Sequence, residues 1–76
     1  MILDIIVKKS DDGFTAEIPS LKGCESWASD EDTVLEKIID LASYYLHLKK
    51  DKFKLDKARK NPNGSVYKLI FQKASG

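Results

Sequence analysis

Cysteine, histidine, proline and long apolar runs are scarce in this chain of 76 residues. The single Cys24 cannot form an internal disulfide bond, and with His47 as the single imidazole it cannot build a cysteine-based zinc site. No apolar run approaches the length of a membrane helix, and the start of the chain lacks the segments of a signal peptide. The glycines are isolated from one another, so none forms a phosphate-binding loop. We therefore expect a reduced, cytoplasmic protein without a cofactor.

The composition is that of one small folded domain, residues 1–76. Apolar residues make up 42% of the chain, which is enough for a core. The net charge is +1, but the charges are unevenly distributed. Residues 4–40 contain ten acidic residues and four lysines, which sum to −6, whereas residues 49–60 contain seven basic and two acidic residues, which sum to +5. Such asymmetry can steer a charged partner toward one part of the molecule.

The first part of the chain shows three short strand patterns. Residues 1–9 are rich in isoleucine and valine, and the Asp-Asp-Gly sequence at 11–13 is typical of a hairpin turn. Residues 14–18 alternate between apolar and polar side chains, and Pro19 ends this strand. Residues 24–28 have the pattern of a third strand.

An amphipathic helix follows, and either Ser29 or Asp30 can cap it. Its apolar positions recur at spacings of three and four: Val34, Leu35, Ile38, Leu41, Ala42, Tyr45 and Leu46. Residues 49–64 form a basic connector, and residues 66–72 alternate as a final strand. The order predicts an α+β fold, β-β-β-α-β, in which an antiparallel meander has one helix packed on one face and a last strand at its edge.

Acidic residues near the first hairpin suggest one enzymatic alternative, a minimal metal-dependent nuclease. The carboxylates available for it are Asp4, Asp11, Asp12 and Glu17. Turn formation already explains why Asp11 and Asp12 are present, and an exposed position on a strand explains Glu17. A nucleophile pair of Cys24 and His47 is disfavoured because His47 lies at the far end of the helix. We therefore predict no catalytic and no metal-binding residues.

A second alternative is a nucleic-acid-binding regulator. It would use the basic residues after the helix: Lys49, Lys50, Lys52, Lys54, Lys57, Arg59 and Lys60. Lysines can pair with phosphates, and Phe53 can stack on a base. Against this, two aspartates interrupt the segment, and the rest of the domain is acidic.

Trp27 has two possible roles. Tryptophan is enriched in the energetic centres of protein interfaces, and Trp27 lies on a short strand next to the helix cap. Alternatively, its ring packs beneath the start of the helix. The sequence leaves both roles open.

The segment from residue 11 to residue 46 resembles the HicB-like antitoxin family. That family has an acidic-Gly-aromatic turn, a strand ending in hydrophobic-Pro, a Leu-x-Gly-Cys corner and a helix. The matching positions here are Gly13, Phe14, Ala16, Ile18, Pro19, Ser20, Leu21, Gly23 and Cys24, followed by Ser29, Asp30, Val34, Leu35, Ile38, Tyr45 and Leu46. The Pro-Ser-Leu-Lys-Gly-Cys corner is the most specific part of the match.

The resemblance implies a partial ribonuclease-H-like fold without nuclease chemistry. It also implies a partner, a small basic ribonuclease toxin of the HicA type. Many family members carry a C-terminal DNA-binding segment, which the residues after the helix do not match. Because an acidic surface attracts a basic toxin, we expect partner contacts at Trp27, Glu25, Glu17 and Asp30. We further expect a homodimer or higher homo-oligomer, with no membrane partner.

Overall fold

The computed structural model describes residues 1–72, so the last four residues of the predicted domain lie outside the described part. The elements are β1 (Ile2–Ser10), β2 (Gly13–Glu17), β3 (Glu25–Ala28), α1 (Glu31–Leu46), a 3-10 turn (Lys50–Lys52), β4 (Lys54–Asn61) and β5 (Gly64–Ile70). The strands form one antiparallel sheet in the order β3-β2-β1-β5-β4. The predicted α+β class, with a β-β-β meander followed by a helix, is confirmed.

The chain after the helix differs from the prediction in two respects. Residues 54–61, expected within a connector, form β4, and β5 lies between β1 and β4 rather than at an edge. The strand pattern of β4 is hidden in the sequence because the strand is exposed to solvent. β4 is itself the edge strand and its described side chains are exposed, so its sequence KLDKARKN needs no apolar alternation.

One face of the sheet packs against α1 and forms the core. The best-buried side chains come from α1 and from the four strands other than β4, or from residues next to them: Ile5, Val7, Ala16, Ile18, Cys24, Ala28, Val34, Ile38, Ala42 and Leu69. Phe53 closes the β5 side of this core, where its ring meets Phe71 edge to face at 5.4 Å between ring centres. Among residues 1–72 no helix has both the length and the apolar character needed to cross a membrane.

Both ends of α1 are fixed by identifiable contacts. Asp30, rather than Ser29, is the cap, because its carboxylate accepts a hydrogen bond from the backbone nitrogen of Thr33 at 2.9 Å. At the other end His47 adopts the left-handed conformation, with a φ of 55°. The Tyr67 hydroxyl of β5 donates to the Glu31 carboxylate at 2.9 Å, which ties the first helical turn to the sheet.

Candidate functional site

The face of the sheet opposite α1 is covered by none of the residues that the structure describes. We call it the open face; its members are Ile2, Asp4, Ile6 and Lys8 of β1, Thr15 and Glu17 of β2, Glu25 and Trp27 of β3, Lys54, Asp56 and Arg59 of β4, and Val66, Lys68 and Ile70 of β5. Ile2 is 62% exposed and Trp27 is 47% exposed. Ile6, Val66 and Ile70 of the same face are partly exposed, and an apolar patch left in solvent is typical of an interaction site.

A groove of about 520 Å³ runs along the β1, β2 and β3 side of the open face. The residues that line it are Ile6, Lys8, Thr15, Ala16, Glu17, Glu25, Ser26 and Trp27. Glu17 and Glu25 are direct partners in the β2–β3 register. Like charges at directly opposed positions destabilise a sheet, so this pair opposes folding. A cationic partner in the groove would relieve the repulsion.

The position of Trp27 excludes one of the two roles that the sequence left open, packing beneath the start of the helix. Its indole lies on the open face against β2. A Cβ atom built on Gly13 would approach Cζ2 of Trp27 to 2.9 Å and would collide with the carbonyl oxygen of Ala28. Gly13 also has a φ of 156°, which side-chain-bearing residues rarely adopt. The ring therefore rests beside a glycine, with half its surface in solvent, rather than beneath the start of the helix.

The outer edge of β3 is partly occupied by a helix side chain. The Ile18 nitrogen donates to the Cys24 carbonyl at 3.0 Å, so the alternation of an antiparallel ladder turns the Trp27 carbonyl away from β2. Lys37 Nζ donates to that carbonyl at 3.1 Å. Lys37 thus takes an acceptor that an added strand would need, which favours the open face over this edge as a docking surface.

Asp30, the fourth predicted partner residue, caps α1 and lies outside the groove. Its carboxylate accepts hydrogen bonds from the backbone nitrogen and the Oγ1 of Thr33, at 2.9 and 2.8 Å. These bonds lower the pKa of Asp30 from its ordinary value of 3.8. The structure therefore brings Glu17, Glu25 and Trp27 together in one groove, whereas Asp30 is the cap of α1.

The basic residues of 49–60 are divided between surfaces. Lys54 and Arg59 lie on the open face, Lys57 and Lys60 on the helix side of β4, and Lys49, Lys50 and Lys52 in or next to the 3-10 turn. Lys50 pairs with Asp40 at 2.7 Å, and this contact raises the pKa of Lys50. Lys57 Nζ lies 5.6 Å from the centre of the Tyr67 ring. This division weakens the nucleic-acid alternative, because a phosphate backbone favours a continuous basic stripe.

Two of the carboxylates considered for a nuclease interact with different side chains. Asp4 forms an ion pair with Lys68, and Asp12 accepts a hydrogen bond from the Ser10 hydroxyl at 3.1 Å. Within residues 1–72 no three His, Cys, Asp or Glu side chains are grouped so that they could hold a metal ion. Cys24 is buried, which raises the pKa of its thiol, and it lies before β3, whereas His47 closes the far end of α1.

The sequence reasoning did not identify Ile6 as part of the groove, although a signal was present. Ile5 and Ile6 are adjacent in a strand, and adjacent strand residues point to opposite faces. One of the two isoleucines must therefore leave the core, and the structure shows that it is Ile6, which pairs with Glu17 across β1 and β2.

Comparison with known proteins identifies one curated relative. A UPF0150 protein from Archaeoglobus fulgidus is 33% identical over 48 residues, which cover 62% of this chain and 70% of that protein. No family model and no solved structure matches the chain.

Proposed function

This chain belongs to the UPF0150 family, and from that premise and its open face we propose that it is a non-catalytic, antitoxin-like protein-binding module. The family membership supports the HicB-like resemblance of residues 11–46, because UPF0150 corresponds to the HicB-like family. The expected partner is a small basic ribonuclease toxin of the HicA type, which the module neutralises by covering it.

The observation that carries the proposal is the groove formed by Glu17, Glu25 and Trp27. The two carboxylates repel each other in the free protein, and an arginine or lysine of the partner would remove that repulsion on binding. The half-exposed indole beside them offers a large apolar surface and an aromatic face to a cation. A protein that grips RNA must present such cations, so the groove and a basic toxin are complementary.

The test is a calorimetric titration of this protein with a basic HicA-like protein from the same genome, at low salt. We expect binding that weakens as salt is added, and suppression of RNA cleavage by the toxin. Trp27→Ala, and separately the double change Glu17→Gln with Glu25→Gln, should each weaken binding by at least about tenfold, the loss expected when an interface residue worth more than about 1.4 kcal/mol is removed. Tyr44→Ala is the matched control, since Tyr44 is an exposed aromatic residue on the helix.

Two results would contradict the proposal. One is the absence of a complex at micromolar concentrations and low salt. The other is a complex whose affinity is unchanged by both groove variants, which would show that a different surface is used. RNA cleavage by this protein in the presence of magnesium, abolished by Asp4→Asn, would instead establish the nuclease alternative.

A further inference from the structure

Glu17 and Glu25 line the groove of the open face without a basic partner of their own. Asp4, on the same face, differs from them because it forms an ion pair with Lys68. Within residues 1–72 both ion pairs involve an aspartate, so neither glutamate is paired in this part of the chain. The two carboxylates therefore meet the solvent as an uncompensated pair of like charges.

The strand register holds the two glutamates close together. The Ile18 nitrogen donates to the Cys24 carbonyl at 3.0 Å, so the next pair along the ladder, Glu17 and Glu25, is of the non-hydrogen-bonded type. In pairs of this type the Cα atoms are about 4.5 Å apart and the side chains are at their closest. A single cation placed above the pair can therefore contact both carboxylates.

The other walls of the groove are apolar and aromatic. Ile6 is opposite Glu17 in the β1–β2 register and is partly exposed. Trp27 lies two residues beyond Glu25 on the same face of β3, about 7 Å along the strand, and is 47% exposed. The groove thus combines two anionic acceptors with an aliphatic surface and an aromatic ring, all within the reach of one long side chain.

Arginine fits this arrangement better than lysine. A guanidinium group is planar and has five N–H donors, so it can bond a carboxylate along each of two edges and still present a flat face to an aromatic ring. An ammonium group is a compact charge with three donors, and it is more strongly hydrated. Lysine therefore makes fewer directed contacts in the groove and gives up more of its hydration to enter it.

We infer that the groove recognises one arginine side chain of a protein partner, with the guanidinium between Glu17 and Glu25. The methylene stem of that arginine lies on Ile6, and its flat face is toward Trp27. Lys8 lines the far end of the groove and repels a second cation, so the site takes a single arginine rather than a run of basic residues. The inference rests on the proposed function, because it takes the groove as the partner-binding surface, and it adds which residue is recognised there.

Trp27 is the single tryptophan of the chain, so its fluorescence reports on the groove alone. The experiment titrates the full chain, at low salt, with three peptides Gly-X-Gly that are blocked at both ends. X is arginine, lysine or citrulline, the uncharged isostere of arginine. The arginine peptide should give a saturable change in the millimolar range, the lysine peptide should bind at least about threefold more weakly, and the citrulline peptide should not saturate.

The double variant Glu17→Gln with Glu25→Gln should lose the response to the arginine peptide. Asp4→Asn is the matched control, since it makes the same kind of charge change on the same face at a carboxylate that is already paired. It should keep the response. The double variant should also unfold at a higher urea concentration than the unaltered chain, because it removes the repulsion between directly opposed charges. Loss of binding together with a gain of stability cannot arise from misfolding.

The same preference should be present in the complex with a basic HicA-like protein. Replacing the arginines of that protein by lysine, one at a time, should identify one position at which affinity falls by at least about threefold. Against the double variant Glu17→Gln with Glu25→Gln, the same replacement should have no further effect. This double-mutant cycle assigns the recognised arginine to the two glutamates.

Equal affinities for the arginine and lysine peptides would overturn the inference, and so would an arginine response that survives in the double variant. A toxin that binds through the groove but tolerates lysine in place of every arginine would also overturn it, while the proposed function would stand. Arginine-selective peptide binding without any toxin complex would support the inference and contradict the proposed function. The two can therefore fail separately.

Discussion

Tyr67 links the first turn of α1 to the sheet through its hydrogen bond to Glu31. Burial, together with its hydrogen bond to Glu31, raises the pKa of Tyr67 to about 12. A raised pKa means that the folded state holds the proton more strongly than the unfolded state. The resulting stabilisation is complete below about pH 10, the ordinary value for tyrosine, and is lost as the pH rises toward 12.

We therefore predict that the free energy of unfolding falls more steeply between pH 9 and pH 11.5 in the unaltered chain than in Tyr67→Phe. At neutral pH the variant should be less stable by about 1 kcal/mol, the usual net value of one hydrogen bond. Urea unfolding followed by circular dichroism measures both effects. Tyr44→Phe, at a residue that is 79% exposed, is the control and should keep the steep decline. Equal slopes for Tyr67→Phe and the unaltered chain would show that the tyrosine does not couple folding to pH.

At the scale of single elements, α1 depends on its cap. The hydrogen bonds from Thr33 lower the pKa of Asp30, so the folded state favours the ionised carboxylate. This stabilisation is present above about pH 3.8 and is lost as the pH falls through the lowered pKa of the folded state. Asn can still accept the capping hydrogen bond but does not ionise.

Substitutions of Asp30 separate the effect of its charge from the effect of its hydrogen bond. Asp30→Asn should have a lower thermal midpoint than the unaltered chain at pH 6, because it lacks the negative charge at the helix start. The difference in thermal midpoint between Asp30→Asn and the unaltered chain should narrow as the pH is lowered from 4 toward 2. Asp30→Ala should be the least stable of the three at pH 6, since it loses the acceptor too. Thermal unfolding in a series of buffers checks this ordering, and a gap that is constant with pH would contradict it.

The elements that could be read from the sequence are those whose pattern is set by local chemistry. The Asp-Asp-Gly turn fixes the first hairpin, and the cap and apolar spacing fix α1. β4 could not be found in this way. Its place depends on hydrogen bonds with β5, and as an exposed edge strand it has Leu55 as its one large apolar residue. Its lysines suggest a solvated connector just as well as a protected edge.

The candidate site, like the fold, could be predicted from the sequence only in part. The alternation of residues 14–18 predicts that Glu17 lies on the face away from the core, and Trp27 is a candidate contact from its residue type and place in the sequence. What the pattern could not supply is the register. The opposition of Glu17 to Glu25, and the alignment of both with Ile6 and Arg59, exist only once five strands are paired. Asp30 is a candidate both for the cap and for the partner surface in the sequence, and only the hydrogen bonds from Thr33 identify it as the cap.

At the scale of the whole molecule, the charge asymmetry of the sequence becomes an asymmetry across one face of the sheet. Glu17 and Glu25 lie on its β2 and β3 side, and Lys54, Arg59 and Lys68 lie on its β4 and β5 side. Under the proposed function, the acidic side attracts a basic partner and the basic side repels it.

Charge reversals at the two sides of the open face should therefore have opposite effects on the proposed partner. Arg59→Glu should bind a basic HicA-like protein at least as tightly as the unaltered chain, because it removes a repelling charge. Glu25→Arg should weaken that binding. Calorimetric titration of each variant with the toxin measures both affinities. Loss of toxin binding in Arg59→Glu would place the basic side of the open face in the partner interface.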